Sequence, residues 1–152
     1  MQWNCNFWAI RNSKMNFQEC IREGFAKETK IDIIRAKNLI KSASESIDTA
    51  KNITLKESSL KSIFRELYEG LRQYCEAIGY TKGYKFLSHD SVTYFLRDNL
   101  KEDIISNKFD RYRILRNGIN YYGDSISQET VEEAKAEIPK IINILSKYTI
   151  FN

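Results

Sequence analysis

Proline is almost missing from this chain: Pro139 is alone among 152 residues, beside only six glycines. So few breakers, with heavy use of Lys, Glu, Ile and Leu, favour helix throughout. Histidine is equally scarce, with His89 alone. The cysteines are Cys5, Cys20 and Cys75, an odd number with no close pair. That argues against a disulfide framework and, with one histidine, against a zinc site. No metal and no cofactor are expected, and a reducing, cytoplasmic setting fits best. No apolar run is long enough to cross a membrane. A secretory signal is not expected either, because the N-terminal apolar stretch is short and interrupted by Asn6 and Arg11. No alternating strand pattern, glycine-rich phosphate loop, internal repeat or low-complexity tract is visible.

What is present is a globular composition, 42% hydrophobic and 29% charged, of a length suited to one core. Net charge is +4, which permits a polyanionic partner without demanding one. Residues 1–14 contain both tryptophans, Trp3 and Trp8, and no apolar period. They read as an extension that is either not native to the domain or loosely docked on it, with the domain at 15–152. A short helix is expected over 16–25, closing at Gly24. A long helix follows from Ile31 to Ile53, with Ala36, Ile40, Ala43, Ile47 and Ala50 on one stripe. A second long helix over 54–79 should pair antiparallel with it and end at Gly79, with Cys75 as a small core residue. Residues 80–87 read as a loop. Ser88 caps a third helix that carries His89 in its first turn, on the surface or partly packed, where the helix dipole favours a neutral imidazole. After a break near 102–108 comes a fourth helix, and Ser127 caps the last, with Ile126 and Val131 placed as a hydrophobic staple. Pro139 should kink that helix or break a turn. The fold class is all-α: a single-domain antiparallel bundle of four to five helices.

The fourth helix differs from the others. Residues 109–123, FDRYRILRNGINYYG, hold Arg111, Arg113 and Arg116 near Lys108, relieved only by Asp110. At about 100° per residue, Ile105, Phe109, Tyr112 and Ile119 share a face with Arg116 and Asn120. Buried polar groups need partners, so this face raises the question of what satisfies Arg116 and Asn120. Arginine forks suit phosphate, and Tyr112, Tyr121 and Tyr122 offer faces on which bases stack. The competing reading pairs the arginines with carboxylates, and it is favoured for Arg111 and Arg113. For Arg116 the two readings are balanced. Other chemistry is poorly supplied. One histidine leaves no Ser-His-Asp arrangement, and Glu132, Glu133 and Glu137 read as a solvated helix face.

The order of blocks MNFQECIREG, AKNLIKSASESI, GYKFLSHDSVTYFLRD and DRYRILRNGINYYGDSIS, across residues 15–148, resembles the HEPN domain proteins, especially small stand-alone archaeal and bacterial ones. The resemblance implies a homodimer whose groove joins two copies of an arginine–histidine motif, with Arg116 near Arg116 or Tyr121 of the partner subunit. In members that cut RNA without metal, the histidine helps activate the ribose 2′-hydroxyl and the arginine steadies the phosphate. Arg116 and Asn117 match the first half, but the histidine position falls at Tyr121 or Tyr122. Phenol titrates near 10 and is a poor base at neutral pH. The resemblance therefore implies a protein that binds RNA, a nucleotide or a partner through Arg111, Arg113, Arg116, Asn117, Asn120, Tyr121 and Tyr122. It implies a toxin–antitoxin-like or defence pairing with a small nucleotidyltransferase, which in related systems adenylates a tyrosine just past the motif histidine. The alternatives are an endoribonuclease with Arg116 and Tyr121 (or Tyr122) as its catalytic residues, and a structural dimerisation module.

Overall fold

A long central helix organises the chain, and the other elements are laid against it. The computed structural model describes residues 15–151, so the expectations for the N-terminal extension, including Cys5 and both tryptophans, lie outside the described residues. Among the described residues there are six α-helices: α1 (Phe17–Arg22), α2 (Ile33–Asn52), α3 (Leu60–Lys82), α4 (His89–Asp98), α5 (Asp103–Tyr122) and α6 (Gln128–Leu145). Two short strands, β1 (Ala26–Glu28) and β2 (Tyr84–Phe86), pair antiparallel, with Ala26 opposite Phe86 and Glu28 opposite Tyr84. The all-helical bundle is thus present, with one more helix than the four or five expected and a small sheet that was not expected.

The sheet corrects the reading of 80–87 as a loop. Gly79 does not end α3, because Tyr80 is itself buried and carries the helix one turn further. The helix stops at Gly83, whose φ of +83° is the left-handed conformation that glycine adopts without strain. Gly79 serves packing instead: a Cβ there would lie 2.7 Å from the Phe86 ring. The strand pair is held from outside itself. Phe17 meets Tyr84 and Phe95 edge-on, with centroids 5.1 and 5.3 Å apart, and Phe86 meets Phe95 at 5.1 Å.

Local signals place the ends of most helices. Asn16 and Glu19 form a capping box on α1, with Asn16 Oδ1 accepting from the Glu19 N–H at 2.9 Å. The Arg97 guanidinium donates to the Met15 carbonyl and Asp98 accepts the Phe17 N–H, both at 2.8 Å, which pins α1 to the end of α4. Ser88 and Ser127 cap α4 and α6 as read from the sequence. Ile126 and Val131 are both buried, as a staple requires. The helix α6 runs unbroken through Pro139, so no turn is lost there. Buried Ala134, Ile138 and Ile141 fix the turns on either side, and the missing donor costs one hydrogen bond rather than the helix.

Packing sets directions. A Cβ at Gly70 would lie 2.8 Å from Ile47 Cδ1 and 3.1 Å from the Ala43 carbonyl, so α2 approaches α3 closely there. Further along, Ala36 meets Ala77 and Tyr80, which makes the pair antiparallel, as the short link suggested. Phe64, Leu67, Leu71, Cys75 and Ile78 of α3 are fully buried. Burial pushes the Cys20 and Cys75 thiols up to about 12, so both behave as small apolar residues. The α5 helix also runs antiparallel to α3: Phe64 faces Tyr112, while Lys61 reaches Gly123 at the far end. That α3–α5 seam carries the candidate site. No helix among the described residues is long and apolar enough to cross a membrane.

Candidate functional site

The buried cation of α5 is Arg113, not Arg116. Its side chain is 4% exposed. Its Nη1 pairs with Asp90 Oδ1 of α4 at 2.7 Å, and its Nε and Nη2 donate to Asp110 Oδ1 at 3.0 and 2.6 Å. Ile105, Phe109, Tyr112 and Ile119 are buried as the helical stripe requires. The covered arc reaches about 80–100° from the centre of that stripe, where Ser106 and Arg113 are also buried and Asp90 of α4 meets Arg113. Arg111 is an exposed fork on Glu133, at 2.8 and 3.1 Å. Lys108 pairs with Glu137, which also accepts from the Tyr112 hydroxyl. Carboxylates thus account for Arg111 and Arg113, as favoured from the sequence.

Arg116 is held differently. It is half-buried, and among the described residues it makes no ion pair. Its guanidinium carbon lies 5.9 Å from the centroid of the Tyr68 ring and 5.9 Å from that of Tyr121. Aromatic faces attract a guanidinium without consuming its hydrogen-bond donors. No helix bend is needed to bring Arg116 and Tyr121 together. The helix continues to Tyr122, and the long arginine side chain crosses the angular gap. Gly118 makes room for Asp124, whose Oδ2 would be 2.5 Å from a Cβ at that position. Asn120 is exposed rather than on the buried face, and its Oδ1 accepts from Arg65 Nε at 2.8 Å. Asn117 is half-buried beside Arg116 in sequence and makes no side-chain hydrogen bond among the described residues. Tyr121 and Tyr122 are 55% and 81% exposed at the end of α5.

The sequence reading missed the groups on the α3 and α4 side. Tyr68 is buried, and its hydroxyl lies 2.8 Å from His89 Nδ1. Arg116 therefore touches the face of the same tyrosine whose hydroxyl holds His89. Burial, then the positive charges of Arg72 and Arg116, push the imidazole down from 6.5 to about 4. The ring is neutral at pH 7, as expected, with burial the chief cause and the neighbouring guanidiniums adding to it. Burial also raises the Tyr68 phenol above its usual value. Arg72 is clamped by two carboxylates, donating to Glu69 at 2.6 and 3.1 Å and to Glu76 at 2.7 Å. Burial works against the Glu69 carboxylate, but the Arg72 hydrogen bond and charge outweigh it and hold Glu69 below its ordinary value. The i,i+3 and i,i+4 spacings of this clamp are legible in the sequence; the Tyr68–His89 contact, between two helices, is not.

Next to this cluster, Arg72, Glu76, Phe86, Leu87, Ser88, His89 and Val92 line a cavity of about 160 Å³, room for a small anion or a few waters. A larger depression of about 290 Å³, lined by Ile33, Thr81, Lys82, Tyr148, Ile150 and Phe151, assembles no acid, base and nucleophile. No group of His, Cys, Asp and Glu that could hold a metal occurs among the described residues. The arrangement can therefore attract and orient an anion at Arg116, while its histidine is too weak a base for proton transfer near neutral pH. No protein-family model matches the chain, and comparison with curated proteins and with solved structures finds no significant match to either.

Proposed function

We propose that this is a HEPN-like helical protein that binds RNA or a nucleotide through its phosphate at Arg116, in a groove completed by a second copy of the chain. One observation carries this reading. Arg116 is a half-buried guanidinium held by two tyrosine faces and no carboxylate, whereas Arg72, Arg111 and Arg113 are each taken up by acids. A cation kept in place with no carboxylate in direct contact, although the Glu69 charge lies within its reach, is suited to an incoming phosphate. The dimerisation-module alternative needs Arg116 to be paired with an acid inside the bundle, and among the described residues no such pair is present. Tyr121 and Tyr122, both exposed, are the phenols a nucleotidyltransferase partner would modify, and the unpaired Cys20 and Cys75 suit a cytoplasmic setting.

The endoribonuclease alternative has less support. It requires a base that works near neutrality. Tyr121 and Tyr122 are phenols, and His89 sits at about 4.

Isothermal titration of the purified chain with uridine monophosphate tests the proposal, with RNA cleavage in EDTA followed in parallel. We expect binding without cleavage, and Arg116→Ala should weaken binding by about 10- to 100-fold, the loss of one charge-assisted phosphate contact. Cleavage in EDTA that disappears in Arg116→Ala would favour the nuclease instead.

A further inference from the structure

The antiparallel register of α3 on α5 lines up more than one cation. Lys61 Nζ reaches the Gly123 carbonyl at 3.4 Å, Arg65 Nε donates to Asn120 Oδ1 at 2.8 Å, and one turn further on Arg116 lies against Tyr68. A rise of 1.5 Å per residue separates these three levels by about 6 and about 4.5 Å along α3. Three positive charges therefore occupy about 10 Å of one seam. None is ion-paired among the described residues. A carbonyl and an amide oxygen hold Lys61 and Arg65 in place without neutralising them. Arg72, the next cation along α3, is closed off by Glu69 and Glu76. The Asp124 carboxylate does not enter the seam. It packs at Gly118, about 200° round α5 from Arg116.

We propose that Lys61, Arg65 and Arg116 form a phosphate track for a single-stranded polynucleotide along the α3–α5 seam. The exposed ring of Tyr122 stands at its Lys61 end as a stacking face. This rests on the reading of Arg116 as a phosphate-binding residue and extends it from one phosphate to consecutive ones. The spacing of the cations suits neighbouring phosphates of an extended strand, and only unpaired bases can offer their faces to an exposed tyrosine. The track takes backbone rather than sequence, because none of its members is placed as a fork beside a fixed acceptor pattern.

The test compares uridine monophosphate with short single-stranded oligouridylate and oligothymidylate of equal length, across a salt series, using the full chain. Lys61→Gln and Arg65→Gln remove each charge but keep a donor, and circular dichroism confirms that the variants fold. The track predicts that the oligonucleotides bind tighter than the monophosphate. Each variant should weaken oligonucleotide binding about three- to tenfold and flatten the salt dependence by about 0.7 in log–log slope, with monophosphate binding unchanged. Comparable binding of oligothymidylate identifies the backbone as the ligand; binding of oligouridylate alone assigns the track to RNA. Oligonucleotide binding that neither variant alters would overturn the track and leave the Arg116 reading standing. No binding of any probe by the wild-type chain overturns both.

Discussion

Arg113→Ala should lower the unfolding free energy by about 3 kcal/mol, enough to threaten a domain of ordinary stability. The reason is geometric. The guanidinium is nearly sealed from solvent and bridges Asp90 of α4 to Asp110 of α5. Removing it leaves two carboxylates facing a vacated, partly dry site. Asp90 and Asp110 remain 19% and 34% exposed, so water relieves part of the cost and the effect belongs at the lower end of the range for broken buried pairs. Arg111→Ala is the matched control. It removes an arginine two positions away from an exposed pair with Glu133, where solvent and salt screen the attraction, so the midpoint should barely move. Urea denaturation of both variants at neutral pH checks the contrast. Equal shifts in midpoint would show that burial does not set the worth of these pairs.

The fold should also weaken in mild acid, by about 2–3 kcal/mol between pH 6.5 and pH 4, through His89 alone. In the folded chain His89 titrates at about 4 against an ordinary 6.5, chiefly because it is buried and secondly because Arg72 and Arg116 oppose a third positive charge. The folded state therefore binds the proton less readily than the unfolded chain does. Well above pH 6.5 neither state is protonated and the stability is complete. As pH falls from 6.5 to 4, the unfolded chain takes up a proton that the folded chain refuses, and stability is lost at up to about 1.4 kcal/mol per pH unit. Glu69 and Asp98, held low by Arg72 and Arg97 against the cost of burial, add their losses only below the ordinary carboxylate range. The interval from 6.5 to about 4.5 thus belongs to the histidine. His89→Gln, which can still hydrogen-bond the Tyr68 hydroxyl, should flatten the pH dependence there. Urea midpoints at pH 7 and pH 5 for both proteins provide the comparison, and a wild-type midpoint that is level over this range would contradict the assignment.

What the sequence made legible was local. The stripe of α2, the serine caps of α4 and α6 and the core position of Cys75 each follow from residues within a turn or two. The strand pair was not legible, because β1 and β2 are three residues each and are stabilised by Phe17 and Phe95 from elsewhere in the chain. Gly79 reads in sequence as a stop signal because a glycine needed for the Phe86 ring looks like a glycine needed for a turn. The choice between Arg113 and Arg116 as the buried cation depended on α4 covering one flank of α5, which the periodicity of α5 cannot encode. The grouping of Tyr68, His89 and Arg116 draws on three helices. The arginine was picked out from its own helix, while its aromatic support from Tyr68 was not.

The central claim is that Arg116 is kept available for a phosphate. Nitrogen-15 NMR of the arginine side chains, during titration with uridine monophosphate, addresses it at the level of single guanidiniums. The prediction is a saturable shift of the Arg116 Nε–Hε signal, with Arg111 and Arg113 unmoved because carboxylates already engage their guanidiniums, Glu133 for the first and Asp90 and Asp110 for the second. An Arg116 signal that stays fixed through the titration, or a shift confined to Arg111, would contradict it.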